Sequence, residues 1–241
     1  MIKVESFSKK FGSKVVHRNI NFQVKRGECL GLIGGSGTGK SVILRSLIGL
    51  ETPDTGRVLI GDKEINNLTE SQLTQLRQKV SYVFQGGALF DSLSVFDNLA
   101  YPLKEHTQLS DEQIKNKIQQ TLSQFGLQDS FHLMPSQLSG GMQKRVGLAR
   151  SMVMDPEVLL YDEPTAGLDP FNTRRIEDLI LRLKATGVTS ILVTHDMPVA
   201  LEVCDRLALL INGVIAEELT PNEFHHSPNA LMQRFIHGEA F

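Results

Sequence analysis

The chain has 241 residues, enough for one large domain or for one domain that carries an insertion. Its 25 Lys and Arg against 27 Asp and Glu give a net charge of −2, so it lacks the basic excess that holds proteins on nucleic acid. Its longest unbroken apolar run, 207–211, is far shorter than the roughly 18 residues that a membrane-spanning helix needs.

The N-terminal region predicts an antiparallel sheet on one flank of the fold, because the strand-like segments 3–7, 20–24 and 58–60 lie around Gly and Pro turns. No apolar stretch follows the first lysines, so we expect no secretory signal and a cytosolic location. Cys29 and Cys204 have apolar neighbours and no CxxC spacing, which predicts two small core residues and neither a disulfide nor a zinc site.

Short apolar runs bounded by turn residues recur along the rest of the chain and are typical of strands covered on both faces. Helical patterns lie between several of them, which predicts an α/β domain with a largely parallel sheet. The predicted strands are 29–33, 80–84, 158–161, 190–193 and 207–211, and the predicted helices are 40–50, 140–154 and 172–184.

A glycine-rich loop follows the strand 29–33, opens a helix and fits the pattern GxxxxGK[ST]. Glycines let backbone N–H groups surround a phosphate, and the helix N-terminus adds partial positive charge. A plain turn would explain the glycines but not the Gly-Lys-Ser ending. The loop therefore predicts a nucleotide site in which Lys40 reaches the β- and γ-phosphates and Ser41 binds Mg²⁺. Its candidate residues are Gly34, Gly35, Ser36, Gly37, Thr38, Gly39, Lys40 and Ser41.

Residues 86–154 have no strand pattern, and the stretch 111–125 is amphipathic at helical spacing, so we expect a helical insertion. Within it, Ser139, Gly140 and Gly141 begin a helix. Free N–H groups at such a start can bind an anion, although Ser-Gly-Gly is also a common helix start.

Two carboxylates, Asp162 and Glu163, end the strand 158–161. Such a pair is usually a solvated turn, but beside a nucleotide loop Asp162 can hold Mg²⁺ through water and Glu163 can polarise the attacking water. His195 follows the strand 190–193. If the strands are parallel, it faces the same crevice as Asp162 and Ser41, where its imidazole can donate a hydrogen bond to a γ-phosphate oxygen. A capping histidine is the alternative. The remaining histidines are predicted at the surface: His17, His106, His132, His225, His226 and His237.

The sequence LSGGMQ at 138–143 resembles the signature of the ATP-binding cassette (ABC) ATPases, and the resemblance covers essentially the whole chain. It implies a RecA-like P-loop NTPase core with an antiparallel β flank and an inserted helical subdomain. It also implies a head-to-tail homodimer, in which Ser139 and Gly141 of one subunit close over the ATP held by Lys40 of the other. The implied divisions are core residues 1–85, the helical subdomain 86–155, and core residues 156–241 with a short C-terminal helix.

Three further roles follow from the same resemblance. Gln85 falls where the family has a glutamine that contacts Mg²⁺ and the attacking water. Asp169 lies in the position of the D-loop, which here begins with Ala166 where the family more often has Ser. Phe11 matches the aromatic residue that stacks on adenine, a contact worth on the order of 1 kcal/mol; considered without the family, it fits an ordinary core residue.

The segment 87–110, GALFDSLSVFDNLAYPLKEHTQLS, resembles the ATPases of the maintenance-of-lipid-asymmetry (Mla) phospholipid system and of related MCE-type lipid transporters. The resemblance implies a peripheral ATPase on the cytoplasmic side of the inner membrane that powers phospholipid transport to or from the outer membrane of a Gram-negative envelope. Its implied cofactors are ATP and Mg²⁺. Its implied partners are a membrane permease, an MCE-domain lipid-binding protein and a small STAS-domain protein.

Other classes of P-loop protein explain less of the sequence. An ABC ATPase of DNA repair, chromosome maintenance or translation would normally carry a long coiled coil or tandem cassettes, which we do not expect in 241 residues. A kinase would need neither the LSGGMQ helix nor His195. Within the transporters, the alternatives are a polar-solute importer and a lipoprotein-release ATPase.

Overall fold

The computed structural model describes residues 1–224 and 226–236. They divide into two compact units, one made of residues 1–77 with the described residues from 180 onward and the other of residues 78–179. The strands are β1 (Ile2–Phe11), β2 (Lys14–Val24), β3 (Cys29–Ile33), β4 (Thr55–Ile60), β5 (Lys63–Glu64), β6 (Val80–Val83), β7 (Val158–Asp162), β8 (Thr189–Thr194), β9 (Arg206–Ile211) and β10 (Val214–Leu219). The α-helices are α1 (Lys40–Leu47), α2 (Glu70–Arg77), α3 (Val95–His106), α4 (Asp111–Gln124), α5 (Gly140–Met152), α6 (Pro170–Ala185), α7 (Met197–Val203), α8 (Pro221–Phe224) and α9 (Ala230–Ile236).

The first unit combines an antiparallel and a mostly parallel sheet. The antiparallel sheet has the order β2-β1-β4-β5, and alternation along β1 buries Ile2 and Val4. Phe7 is buried as well, because the register shifts between Val4 and Phe7. In the other sheet β3 lies parallel to both β8 and β9, and β10 pairs antiparallel with β9. All five residues of β3 are buried, which explains why its sequence is continuously apolar. The flank and the parallel strands predicted from the sequence are confirmed here.

The second unit holds the parallel pair β6 and β7 and the helices between them. Helix α4 begins at a capping box in which Ser110 and Gln113 satisfy each other's backbone N–H groups, and it buries Ile114, Ile118 and Leu122. Residues 86–154 contain no strand, as the sequence pattern indicates. The predicted subdomain boundaries at 85 and 155 stay a prediction.

Several local expectations are met. Cys29 and Cys204 are buried, with relative exposures of 0% and 4%, and their sulfur atoms lie 3.8 Å apart. The C-terminal helix is present as α9, with Met232 buried. In the described part of the chain, every helix is too short or too polar to cross a membrane.

Candidate nucleotide site

The glycine-rich loop joins β3 to α1 as the motif requires. Gly34, Gly37 and Gly39 have φ values of 153°, 75° and 93°, a region that favours glycine. Gly39 is the N-cap of α1 and offers no capping side chain, and the first turn of the helix contains no acidic residue. The helix N-terminus therefore remains suited to an anion.

Lys40 forms hydrogen bonds with the backbone of the loop. Its side chain is buried, with 5% relative exposure, and Nζ donates to the carbonyl oxygens of Gly34 at 2.8 Å and Gly35 at 2.9 Å. Thr38 Oγ1 also donates to Gly35 O at 2.9 Å. The two contacts of Lys40 hold its ammonium group against the backbone of the loop.

His17 supports the loop from β2, and the sequence-based prediction of a surface position for it is wrong. The ring is completely buried and packs edge-on against Phe7, 5.4 Å between centroids. Neither ring nitrogen has a hydrogen-bond partner of good geometry among the described residues. A Cβ added to Gly39 would lie 2.7 Å from His17 Nε2, so the imidazole occupies the space that a side chain at position 39 would need. Burial lowers the pKa of His17 to about 4, a shift that the Gly39 backbone opposes only in part.

The other histidines are divided between exposed positions and positions that are not described. His106, His132 and His226 are exposed as predicted. His225 and His237 lie outside the described residues.

His195 lies at the same sheet edge as the phosphate loop. In the parallel pair of β3 and β8, Ile33 is the partner of Thr194, so Gly34 and His195 both follow the carboxyl ends of adjacent strands. Parallel strands place such residues together, which is where ligands bind in open α/β sheets. The imidazole is exposed. The capping role that the sequence left open for it belongs to Asp196, whose carboxylate accepts from Val199 N at 3.4 Å.

In the second unit, too, polar side chains follow the carboxyl ends of two adjacent parallel strands. Val83 of β6 is the partner of Tyr161 of β7, so Gln85 and the pair Asp162 and Glu163 follow the carboxyl ends of adjacent strands. Gln85 is exposed. Tyr82, which no sequence pattern indicates, donates from its hydroxyl to Asp162 Oδ2 at 2.6 Å and orients that carboxylate.

Glu163 lies on a strained turn. Its φ of 50° is in the left-handed region, which costs a residue with a Cβ on the order of 1 kcal/mol. Its carbonyl oxygen accepts from Ala166 N at 3.2 Å, which closes the turn. Strained backbone at a carboxylate that follows a buried strand is a pattern found at functional sites.

Ser139, Gly140 and Gly141 form the start of α5, as predicted. Ser139 is the N-cap, and its Oγ accepts a hydrogen bond from Met142 N at 3.3 Å. The hydroxyl hydrogen is not used in this bond and can be donated to an anion. Ser139 and Gly140 are exposed, whereas Gly141 is buried. The amide of Gln143 fixes the preceding turn by donating to Pro135 O at 2.9 Å.

Asp169 caps the start of α6. One carboxylate oxygen accepts from Asn172 N at 3.0 Å and the other from Asn172 Nδ2 at 2.6 Å. These hydrogen bonds lower the pKa of Asp169. The residue thus has a structural role here besides any role toward a nucleotide.

Phe11 ends β1 with 46% relative exposure, so the interpretation of it as a core residue is wrong. Lys9 Nζ lies 5.0 Å from the centroid of its ring. An exposed ring at a strand end is available for stacking on a base, with a lysine beside it.

The chemistry of the phosphate loop in the first unit fits a nucleoside triphosphate. The loop offers backbone N–H groups and a buried ammonium, the donors that phosphate oxygens require. Among the described residues, no cluster of three or more His, Cys, Asp and Glu could hold a metal ion by itself. Mg²⁺ usually takes one or two protein oxygens together with phosphate and water, and Ser41 in the first unit and Asp162 in the second each carry an oxygen of that kind.

Several known proteins are similar in sequence to this chain over essentially its whole length. The ABC transporter family model matches residues 17–166. The intermembrane phospholipid transport system ATP-binding protein MlaF of Haemophilus influenzae is 36% identical, covering 100% of this chain and 91% of MlaF. Protein trigalactosyldiacylglycerol 3, chloroplastic, of Arabidopsis thaliana is 40% identical, covering 99% of this chain and 74% of that protein. The methionine import ATP-binding protein MetN 1 of Listeria monocytogenes is 39% identical, covering 100% and 72%.

A solved structure has the same fold. A dimeric ATP-binding cassette in a post-hydrolysis state, bound to ADP and Pi, matches with a TM-score of 0.85 and 32% identity, over 92% of this chain and 99% of that one.

Proposed function

Because this chain belongs to the ABC transporter family, we propose that it is the ATP-hydrolysing subunit of a transporter that moves phospholipid between the inner and outer membranes of a Gram-negative envelope. Membership makes the chain an ATPase that serves a transporter and has the P-loop NTPase fold. The proposal concerns its cargo and its assembly.

The segment 87–110 carries the phospholipid assignment, since it resembles the Mla ATPases. Two relatives named for lipids support it, the phospholipid transport protein at 36% identity and the protein named for a galactolipid at 40%. The methionine import relative is equally similar overall, so identity alone does not choose the cargo. A polar-solute importer is therefore the second candidate, and a lipoprotein-release ATPase has less support. Membership of the transporter family argues against a non-transport ABC ATPase.

The same segment presents an aromatic surface on a rigid support. Phe90 and Tyr101 are 46% and 50% exposed, and their ring centroids lie 5.5 Å apart. The completely buried Asn98 holds the turn before α3, where its amide donates to Phe90 O at 3.1 Å and Leu93 O at 3.0 Å. Exposed apolar rings held in place are suited to a partner helix, and we assign them to the permease.

Within the first unit, the proposed roles follow from the loop and the sheet edge. Backbone N–H groups of residues 34–39 would surround the β-phosphate, and Lys40 would neutralise the β- and γ-phosphates. His195 would donate to a γ-phosphate oxygen, and Phe11 would stack on adenine. Ser41 would hold Mg²⁺, which when bound neutralises charge on the β- and γ-phosphate oxygens.

Within the second unit, Glu163 would polarise the attacking water, which Gln85 would help to position. Asp162, oriented by Tyr82, would hold Mg²⁺ through its water shell. Ser139 and Gly141 would bind the γ-phosphate of the ATP held by a second subunit, with Gly140 leaving room for it and Asp169 lying nearby. This assigns the chain to a head-to-tail homodimer.

The proposed assembly also includes a permease, an MCE-domain lipid-binding protein and a small STAS-domain protein. The ATPase would then lie peripherally on the cytoplasmic face of the inner membrane, where ATP is available.

Replacing Glu163 by Gln tests the mechanism. The change keeps the size of the side chain and removes its basicity, so ATP binding should remain while turnover falls by at least about 100-fold. Binding is measured with a fluorescent ATP analogue and turnover by phosphate release. Normal hydrolysis in this variant would remove Glu163 from the mechanism.

Isolation of the complex from membranes tests the cargo. We expect the chain to co-purify with a permease, an MCE-domain protein and phospholipid, identified by mass spectrometry. A double variant, Phe90→Ser with Tyr101→Ser, should lose the permease but retain ATP binding. A permease that arrives with a periplasmic solute-binding protein and without an MCE-domain protein would contradict the phospholipid assignment.

A further inference from the structure

Helix α5 is tied to the loop that carries Glu163. Lys144 lies one turn beyond the start of the helix, and its Nζ donates to the carbonyl oxygen of Ala166. Ala166 belongs to the loop 163–169, which joins β7 to α6. The lysine therefore holds the middle of this loop from the helix that also carries the LSGGMQ motif.

A second contact lies at the end of the same loop. Asn172, in the first turn of α6, packs against Gly141 so closely that a Cβ added there would lie 2.6 Å from Asn172 Cγ. The same amide group donates to Asp169 at 2.6 Å. The signature glycine, the Asn172 amide and the end of the loop are thus in continuous contact.

The charges in this cluster favour the same arrangement. Burial lowers the pKa of Lys144, and the negative charge of Glu163 acts to raise it. The carboxylate and the ammonium therefore attract each other within the second unit. Because Ala166 N donates to Glu163 O at 3.2 Å, a shift of Ala166 would also alter the strained turn at Glu163.

We propose that Lys144 and Asn172 are positioning residues that hold the loop 163–169 against helix α5, so that the Glu163 carboxylate and the anion site at Ser139 and Gly141 keep one fixed geometry. The inference rests on the proposed function and deepens it. In a head-to-tail dimer, Glu163 acts on the ATP of its own subunit and Ser139 on that of the partner. The contact would then transmit changes at one ATP to the other.

The test replaces Lys144 with Met, which is similarly long but uncharged, and with Arg, which is long and charged. Lys144→Met should lower kcat about 10-fold and change KM for ATP less than about 2-fold, because the phosphate loop is untouched while the carboxylate loses its position. Lys144→Arg, which retains a charged donor, should keep at least half of the wild-type kcat. Asn172→Ala should lower kcat about 3-fold. In the double variant Lys144→Met with Asn172→Ala, kcat should fall by less than the product of the two single effects, because both residues hold the same loop.

Lys115→Met is the matched control, because Lys115 is exposed on α4, and it should leave both constants unchanged. All variants are compared as full-length chains with thermal unfolding recorded, and Asn172→Ala decides the matter if Lys144→Met does not fold. A wild-type kcat in both single variants would overturn the proposal. The proposal would also be overturned if Lys144→Met lowered both ATP affinity and kcat and Lys144→Arg restored neither, because that result indicates general structural damage. Glu163→Gln measured in parallel separates the two proposals: if it still hydrolyses ATP, the proposed mechanism fails, whatever the lysine does.

Discussion

Two buried polar side chains, Lys40 and His17, lie at the phosphate loop for different reasons. Lys40 is anchored by two carbonyl oxygens, which hold its ammonium group against the backbone of the loop. His17 fills the space beside Gly39, and its ring nitrogens have no hydrogen-bond partner of good geometry in the described part of the chain. A buried imidazole of this kind is stable only when neutral, since protonation would place an unpaired charge in the core.

His17 should make the protein sensitive to acid. Its pKa is about 4 in the folded protein against 6.5 when exposed, so the unfolded chain binds more protons between these values. Stability contributed by the neutral ring is therefore present above pH 6.5 and is lost as the pH falls toward 4, by up to about 3 kcal/mol. His17→Leu should remove this dependence in urea unfolding measured from pH 7 to pH 4.

The control for this experiment is His132→Leu, because His132 is exposed. It should unfold with the same pH dependence as the wild type. An unchanged pH dependence in His17→Leu would contradict the role assigned to His17.

At the scale of elements, helix α5 organises much of the second unit. Its N-terminus carries the signature, and Lys144 binds the loop 163–169. Its middle is crossed by the segment after Gln85, where a Cβ added to Gly147 would lie 2.6 Å from Gly87 Cα and 2.8 Å from Gly87 O. Two backbones approach this closely only because both residues are glycines.

Gly147→Ala should therefore destabilise the protein by about 1–3 kcal/mol, although alanine is normally the better residue inside a helix by about 1 kcal/mol. The obstructing atoms belong to the backbone of Gly87 and cannot rotate away. Thermal unfolding measures the effect. Gly140→Ala in the same helix is the control, since no other described part of the chain lies within 4 Å of its added Cβ, and it should be neutral or stabilising. Equal stability of the two variants would show that the crossing tolerates a side chain.

At the scale of the whole molecule, one chain supplies the phosphate loop of one site and the signature of another in the proposed homodimer. A solved relative with a TM-score of 0.85 is a dimer, which supports this arrangement. Two defective chains should then be able to complement each other, because each retains the half that the other lacks.

Lys40→Ala should lose ATP affinity and Ser139→Arg should block the anion site at α5, so each variant alone should be inactive. An equimolar mixture should recover about a quarter of the wild-type rate, because half of the dimers are mixed and each holds one intact site. Phosphate release measures the recovery. No recovery on mixing, with dimers detected by light scattering, would contradict the head-to-tail exchange of Ser139.

The fold class and most proposed site residues follow from local patterns in the sequence. The phosphate loop, the carboxylates after β7 and the LSGGMQ helix start are each contiguous, and their chemistry depends on residue type and spacing, which a sequence displays directly. The strand 29–33 is predicted to the residue, because a fully buried parallel strand is apolar throughout.

The side chains that support these motifs become evident only in the folded chain. His17 is buried against Gly39, Phe11 is exposed, Tyr82 binds Asp162, and Lys144 reaches Ala166. These relations join residues about 20 to 80 positions apart, and no period or motif in the chain encodes such contacts. Nucleotide binding can therefore be predicted from the sequence, because it depends on the residue types in short contiguous segments. How the segments are held was decided by packing, because burial and hydrogen bonding depend on neighbours that only folding brings together.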